Sequence, residues 1–131
     1  MKLLLSDAIA LGRVFINKPE PGHYRCCAIG MAVAALKGAQ CWSSEAYGLA
    51  YKTWPWIAEH TQVPKIAIRH HKYFPHVTYD RVETIISSIF YDVCAGRVTL
   101  EQLIDWIRSV EPVETEVKEC EVSSEYVSVS S

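Results

Sequence analysis

Cys26-Cys27-Ala28-Ile29-Gly30-Met31-Ala32-Val33-Ala34-Ala35-Leu36 is an unbroken apolar run, closed by Lys37-Gly38. No charge interrupts it on any face until Lys37, and a helix that is apolar all round is a buried one. Its small residues, Ala28, Gly30, Ala32, Ala34 and Ala35, let neighbouring helices approach closely. Gly38 supplies the left-handed stop. At 11 residues the run is too short to span a bilayer. It is therefore read as the central helix of a small helical domain, with the larger Trp and Tyr side chains of other segments packed against it.

The flanking segments fit that frame. Leu4, Leu5, Ala8, Ile9 and Leu11 recur at helical spacing, which predicts a helix over Leu3 to Phe15 with Ser6-Asp7 in its first turn. Residues 17–22 hold Pro19, Pro21 and Gly22 and read as a loop. A third helix is expected from Ser44 to Thr53, capped by Ser43 or Ser44. Trp54-Pro55 closes it, because the residue before a proline avoids helical geometry. Pro55 suits the first position of a short helix, Trp56 to His60.

Further on, Ile66 and Ile68 alternate with Lys65, Ala67 and Arg69, the pattern of a brief strand, and Arg69 to His76 reads as an exposed loop. Val82, Ile85, Ile86, Ile89, Phe90 and Val93 mark a helix from Asp80 to Cys94, with Asp80 and Glu83 at capping-box spacing and Gly96 at its end. Thr99 and Gln102 open the clearest helix, whose stripe is Leu100, Leu103, Ile104, Ile107 and Val110; Glu101, Asp105 and Arg108 face water and Pro112 stops it. The expected fold is all-α, a small orthogonal multi-helix domain over residues 1–111.

Residues 112–131 differ in character. Val113, Thr115 and Val117 alternate with Glu114 and Glu116, and Val127 and Val129 alternate with serines. This segment is an acidic tail, either disordered or a short β-hairpin, and an isolated hairpin needs a surface or a partner to be stable.

Charge follows the same division. Residues 1–111 carry 12 Lys/Arg against 10 Asp/Glu, whereas residues 112–131 carry one Lys against five Glu. A body so near neutrality argues against general polyanion binding, which needs a concentrated cationic face. The five cysteines, an odd number with two adjacent, read as thiols of a reducing cytoplasm. Lys2 and Leu3-Leu4-Leu5 begin like a secretory signal, but Asp7 interrupts the run.

Cys27-Ala28-Ile29-Gly30-Met31-Ala32, Trp54-Pro55-Trp56, Ile85-Ile86 and Thr99-Leu100-Glu101-Gln102-Leu103-Ile104-Asp105-Trp106 follow one another in the chain. Together they resemble a group of small uncharacterised proteins of bacterial and phage genomes that share a CALGAA-type helix, a WPW element and a closing tRExIAdW helix. The resemblance spans Leu3 to Glu111. Members often carry a Cys-Pro-x-x-Cys pair and a His-Leu-Asn-Asp stretch, whereas the corresponding region here reads Ser87-Ser88-Ile89-Phe90-Tyr91-Asp92. The resemblance thus implies a phage or mobile-element origin, but neither an activity nor a metal.

Five features can carry function. Cys26 and Cys27 open a helix after a Pro/Gly loop, a placement that favours a thiolate; a thiol enzyme would pair one of them with a histidine, His71 or His76. The bland reading is two small core residues. His23 and Cys26 have ligand-like spacing, and His71 with His76 would complete a zinc set, but no Cys-x-x-Cys is present. Arg69, His70, His71, Lys72 and Tyr73 lie in the one acid-free cationic stretch, which suits an RNA or single-strand contact or an ordinary exposed loop. Trp106 stands off the apolar stripe of its helix, and exposed aromatics and Arg dominate protein-binding hot spots. The acidic tail can imitate a polyanion or add a strand to a sheet edge. No phosphate loop and no nucleophile elbow occurs. The reading that follows is a protein-binding accessory module acting on a host factor, with no cofactor, no metal and no membrane partner; a cysteine-dependent enzyme and a nucleic-acid binder through residues 65–76 stand as alternatives.

Overall fold

The computed structural model describes residues 3–19, 27–40 and 45–112. The apolar run folds as expected: α2 spans Ala28–Lys37, and every residue from Ala28 to Ala34 is buried. Gly38 ends it at φ 74°, with its N–H bonded to the Ala34 carbonyl at 2.8 Å. Helix α1, Leu5–Gly12, lies against α2 and continues into a 3-10 turn, Arg13–Phe15. A Cβ built on Gly12 would stand 1.6 Å from the Met31 carbonyl oxygen, so α1 and α2 meet backbone to backbone at that point.

Helix α3, Ala46–Thr53, also packs on α2 and stops at Trp54. Trp54 is 2% exposed, and its indole N–H donates to the Leu3 carbonyl at 2.9 Å. The short helix expected over Trp56 to His60 is instead a 3-10 turn, Pro55–Ala58, with Pro55 in its first turn. The caps expected at Ser43 and Ser44 lie outside the described residues.

The segment expected as a strand and an exposed loop is different in kind. Ile66 and Ile68 are in no strand; residues 68–73 form a helix, α4, Ile68–Tyr73. The two strands flank it: β1, His60–Gln62, pairs antiparallel with β2, Tyr79–Arg81, in the register His60↔Arg81, Thr61↔Asp80, Gln62↔Tyr79. The ladder extends at both ends, where Val63 N–H bonds to the Thr78 carbonyl at 2.8 Å and Val82 N–H to the Glu59 carbonyl at 2.9 Å. Contacts distant in sequence override local pattern here.

Asp80 accordingly sits in β2 and does not cap the next helix. That helix, α5, Val82–Cys94, has Arg81 before it and no side-chain cap. Gly96 follows its end at φ 80°. The last helix, α6, Leu100–Val110, has the expected reciprocal capping box between Thr99 and Gln102. It runs antiparallel to α1: Arg13 meets Glu101 at 2.7 Å at one end, and Arg108 meets Asp7 at 3.3 Å at the other. At that second end the Glu111 carboxylate accepts from the backbone N–H and hydroxyl of the fully buried Ser6, in the first turn of α1.

The fold is thus mostly helical, with six α-helices and one small two-stranded sheet among the described residues. A single core joins Leu5 and Ile9 of α1, Ile29 and Val33 of α2, Ile85, Ile86 and Ile89 of α5, and Leu103 and Ile107 of α6. Each such side chain contributes about 1.5–3 kcal/mol when fully buried. The tail hairpin considered above lies outside the described residues. No helix among them is long and apolar enough to cross a membrane.

Candidate functional site

Helix α4 is only 6 residues long, and a helix that short does not stand alone in water. It is held from below by Asp92 of α5. This fully buried carboxylate accepts the Arg69 backbone N–H at 2.9 Å, one of the donors that the start of a helix leaves without a partner. Its other oxygen takes the Arg97 guanidinium at 2.8 and 3.0 Å, so the charge is paired as well as hydrogen-bonded. Asp92 thereby ties α4, the end of α5 and the turn before α6 to one point. The signal for it in the sequence was an acid set between Phe90 and Val93 on a buried face.

A second joint fixes the other side of α4. His70, expected in an exposed loop, is 1% exposed, and its Nε2 lies 2.9 Å from the Asp80 carboxylate of β2. Burial pushes the Asp80 carboxyl up, but its hydrogen bonds from His70 and from the Arg81 backbone N–H outweigh that and hold it below the usual carboxylate value. An ionised Asp80 accepts, so Nε2 carries the imidazole proton. Nδ1 is buried and without a hydrogen-bond partner among the described residues. The Phe74 ring packs on the imidazole, centroids 5.4 Å apart.

With the two joints made, the rest of α4 is free to face outward. The Arg69 guanidinium lies over the Tyr91 ring at 4.1 Å and near the Tyr73 ring at 5.0 Å; Lys72 approaches the same Tyr73 ring at 5.4 Å. Tyr73 is 56% exposed, Phe74 54% and Tyr79 63%. Lys72 and His76 are exposed too, and no carboxylate occurs between Gln62 and Tyr79. The structure thus keeps Arg69, Lys72 and Tyr73 in one cluster, adds Tyr91, and removes His70 to the interior.

Trp106 belongs to another feature. A groove of about 310 Å³ runs between residues 61–65 and α6, where Trp106 and Val110 line it. His71 is the link between the two regions: its Nε2 donates to the Pro64 carbonyl at 3.0 Å and steadies the wall of this groove.

Cys27 precedes the first turn of α2 and is 3% exposed. Its thiol lies 3.3 Å from the Tyr47 hydroxyl. Burial, followed by the neighbouring Cys27, pushes the Tyr47 phenol far above its ordinary value, while the Ser87 hydroxyl bonds to it. The thiol's hydrogen-bond partner is therefore the Tyr47 phenol, and no hydrogen bond joins Cys27 to a histidine among the described residues. Of the zinc candidates, His23 and Cys26 lie outside the described residues, while His71 is committed to Pro64. Among the described residues no three His, Cys, Asp or Glu side chains gather as a metal ion requires.

Comparison of the chain with protein-family models, with curated proteins and with solved structures finds no match in any of the three.

Proposed function

We propose that this domain is a protein-binding module that presents the outer face of α4 to an acidic segment of another protein. One observation carries the reading: Tyr73 stands more than half exposed beside Lys72 and Arg69, with the equally exposed Phe74 next in the chain, in a stretch without a carboxylate. Aromatic side chains and Arg anchor protein interfaces because they bury large, rigid areas at small entropic cost. The joints at Asp92 and His70 hold this face in shape before a partner arrives, which lowers the ordering cost of binding. Arg69, already covered by the Tyr91 ring at 4.1 Å, acts as a buttress, and Lys72 supplies the charge that faces out.

Nucleic acid is the second reading, favoured by the same aromatic and cationic side chains. The near-neutral body weighs against it, since phosphate binding draws on several cations at once. A reduced, buried Cys27 suits a cytoplasmic setting. The origin in a phage or mobile element, with a host factor as target, completes the proposal and rests on the sequence resemblance.

Panning a random-peptide phage library on the full chain tests it. Acidic peptides are expected to enrich, and the paired substitution Lys72→Glu with Tyr73→Ser weakens them about tenfold or more, the scale of a hot-spot loss, at unchanged melting temperature. Equal enrichment on both proteins, or none, overturns the proposal. A single-stranded oligonucleotide that binds with a steep salt dependence, where no peptide does, replaces it with the second reading.

A further inference from the structure

Arginines among the described residues face carboxylates, with one exception. Arg13 meets Glu101 at 2.7 Å, Arg81 meets Glu83 at 3.7 Å, Arg97 meets Asp92 at 2.8 Å and Arg108 meets Asp7 at 3.3 Å. The exception is Arg69. Asp92 takes its backbone N–H, but the charge of Asp92 is matched by Arg97. No hydrogen bond or ion pair holds the half-buried Arg69 guanidinium among the described residues; it rests on the Tyr91 ring at 4.1 Å and over the Tyr73 ring at 5.0 Å.

A cation drawn partly out of water without a counter-ion is costly, and two ring faces offset only part of that cost. The rings also fix the group. The N–H donors of a guanidinium lie in its plane, in a rigid fork that matches two oxygens of an anion. Rings over the central carbon leave that fork uncommitted, so the stacking that makes Arg69 a buttress also holds its donors ready for a ligand.

Lys72 points to the kind of anion. Its ammonium lies 5.4 Å from the centre of the same Tyr73 ring, so two cations serve one place, and no carboxylate between Gln62 and Tyr79 competes for them. A carboxylate has two oxygens, which the fork alone uses. A phosphomonoester carries a charge of about −1.5 to −2 near neutral pH and three terminal oxygens, enough for the fork and the ammonium together.

We propose that Arg69 and Lys72 form a phosphomonoester site, and that the acidic segment taken by the α4 face carries a phosphorylated side chain. This inference rests on the proposed function and names the group that anchors the partner. Fluorescence anisotropy on the full chain tests it with a labelled acidic peptide bearing one phosphoserine and with its unphosphorylated twin. The phosphorylated peptide is expected to bind about tenfold or more tightly than the twin, and Arg69→Lys to abolish that difference, because lysine keeps the charge but not the fork. The Arg69 backbone N–H is unchanged in that variant, so its joint to Asp92 remains and its melting temperature should match. Inorganic phosphate added to the unsubstituted, nitrogen-15-labelled chain should shift the side-chain Nε–Hε signal of Arg69 and leave those of the paired Arg13 and Arg108 in place. Equal affinity for the twins overturns the inference and leaves the acidic-peptide reading standing. A phosphate-induced shift at Arg69 with neither peptide bound supports the site and removes that reading. A single-stranded oligonucleotide that displaces the phosphopeptide at lower concentration than unlabelled phosphopeptide does overturns the inference in favour of nucleic acid.

Discussion

The contact of α1 with α2 and the segment from β1 to β2 are built on opposite principles. The first is close packing of small and aliphatic side chains, with Gly12 set against the Met31 carbonyl. The second is a short helix and a short ladder whose positions depend on two buried joints, Asp92 with Arg69 and Arg97, and His70 with Asp80. Packing of the first kind is insensitive to pH and uses residues near one another in kind and spacing. Joints of the second kind depend on charge and tie separate elements to one another. The same difference divides the molecule into a foundation and a presenting surface, because a face made of exposed aromatics cannot be held by burying them.

Gly12→Ala breaks the foundation. The added methyl meets backbone on α2, which no rotamer change can relieve, so the helices must separate. The expected loss is more than about 3 kcal/mol, above the usual range for overpacking because a whole interface opens. At this chain length thermal unfolding falls by well over ~10 °C. Gly48→Ala in α3 is the matched control: nothing lies within 4 Å of its added Cβ, and helix propensity favours Ala by about 1 kcal/mol. Equal melting temperatures for the two variants would refute the close approach of α1 and α2.

Asp92→Ala breaks the second region, and the loss is about 2–4 kcal/mol, because the Arg69 N–H and the Arg97 guanidinium lose their acceptor together. The comparison sharpens in where the effect falls. Amides of α4 are expected to exchange much faster in the variant while those of α2 follow only the global change. Uniform acceleration across both helices would show that α4 has no separate dependence on Asp92.

The two regions were also unequally legible. Helix α2 and the capping box of α6 could be read because each is decided within a dozen residues: an apolar run closed by Gly38, and Thr99 with Gln102. Residues 60–81 could not. The strands at His60–Gln62 and Tyr79–Arg81 have no alternating apolar face and exist through pairing with each other, and α4 exists because Asp92, 23 residues away, accepts from Arg69. The candidate residues divide in the same way. Arg69, Lys72 and Tyr73 share a cationic, aromatic stretch of sequence and lie together, whereas His70 is indistinguishable from its neighbour His71 in sequence and differs from it in burial and partner. Trp106 was marked by its position off the stripe, but its neighbours Pro64 and Lys65 are set by the tertiary fold.

Asp80→Asn tests the subtler of the two joints, through pH. The folded protein holds this carboxyl below its ordinary value of 3.8: burial opposes ionisation, and the hydrogen bonds from His70 and Arg81 N–H, helped by the nearby His60, more than compensate. A carboxylate whose pKa is lowered by folding stabilises the protein fully above its unfolded value, and that stabilisation is lost as pH falls through the folded value. The amide keeps an oxygen that can accept from His70 Nε2 but lacks the charge, so at neutral pH the substitution is expected to cost about 1 kcal/mol. Denaturant unfolding of both proteins should show a constant difference from pH 7 down to about 4 and a shrinking one below it. A difference that persists undiminished at pH 2 would mean that geometry, and not charge, makes the His70–Asp80 joint. The joint would then belong with the packed foundation, and the contrast between the two regions would rest on Asp92 alone.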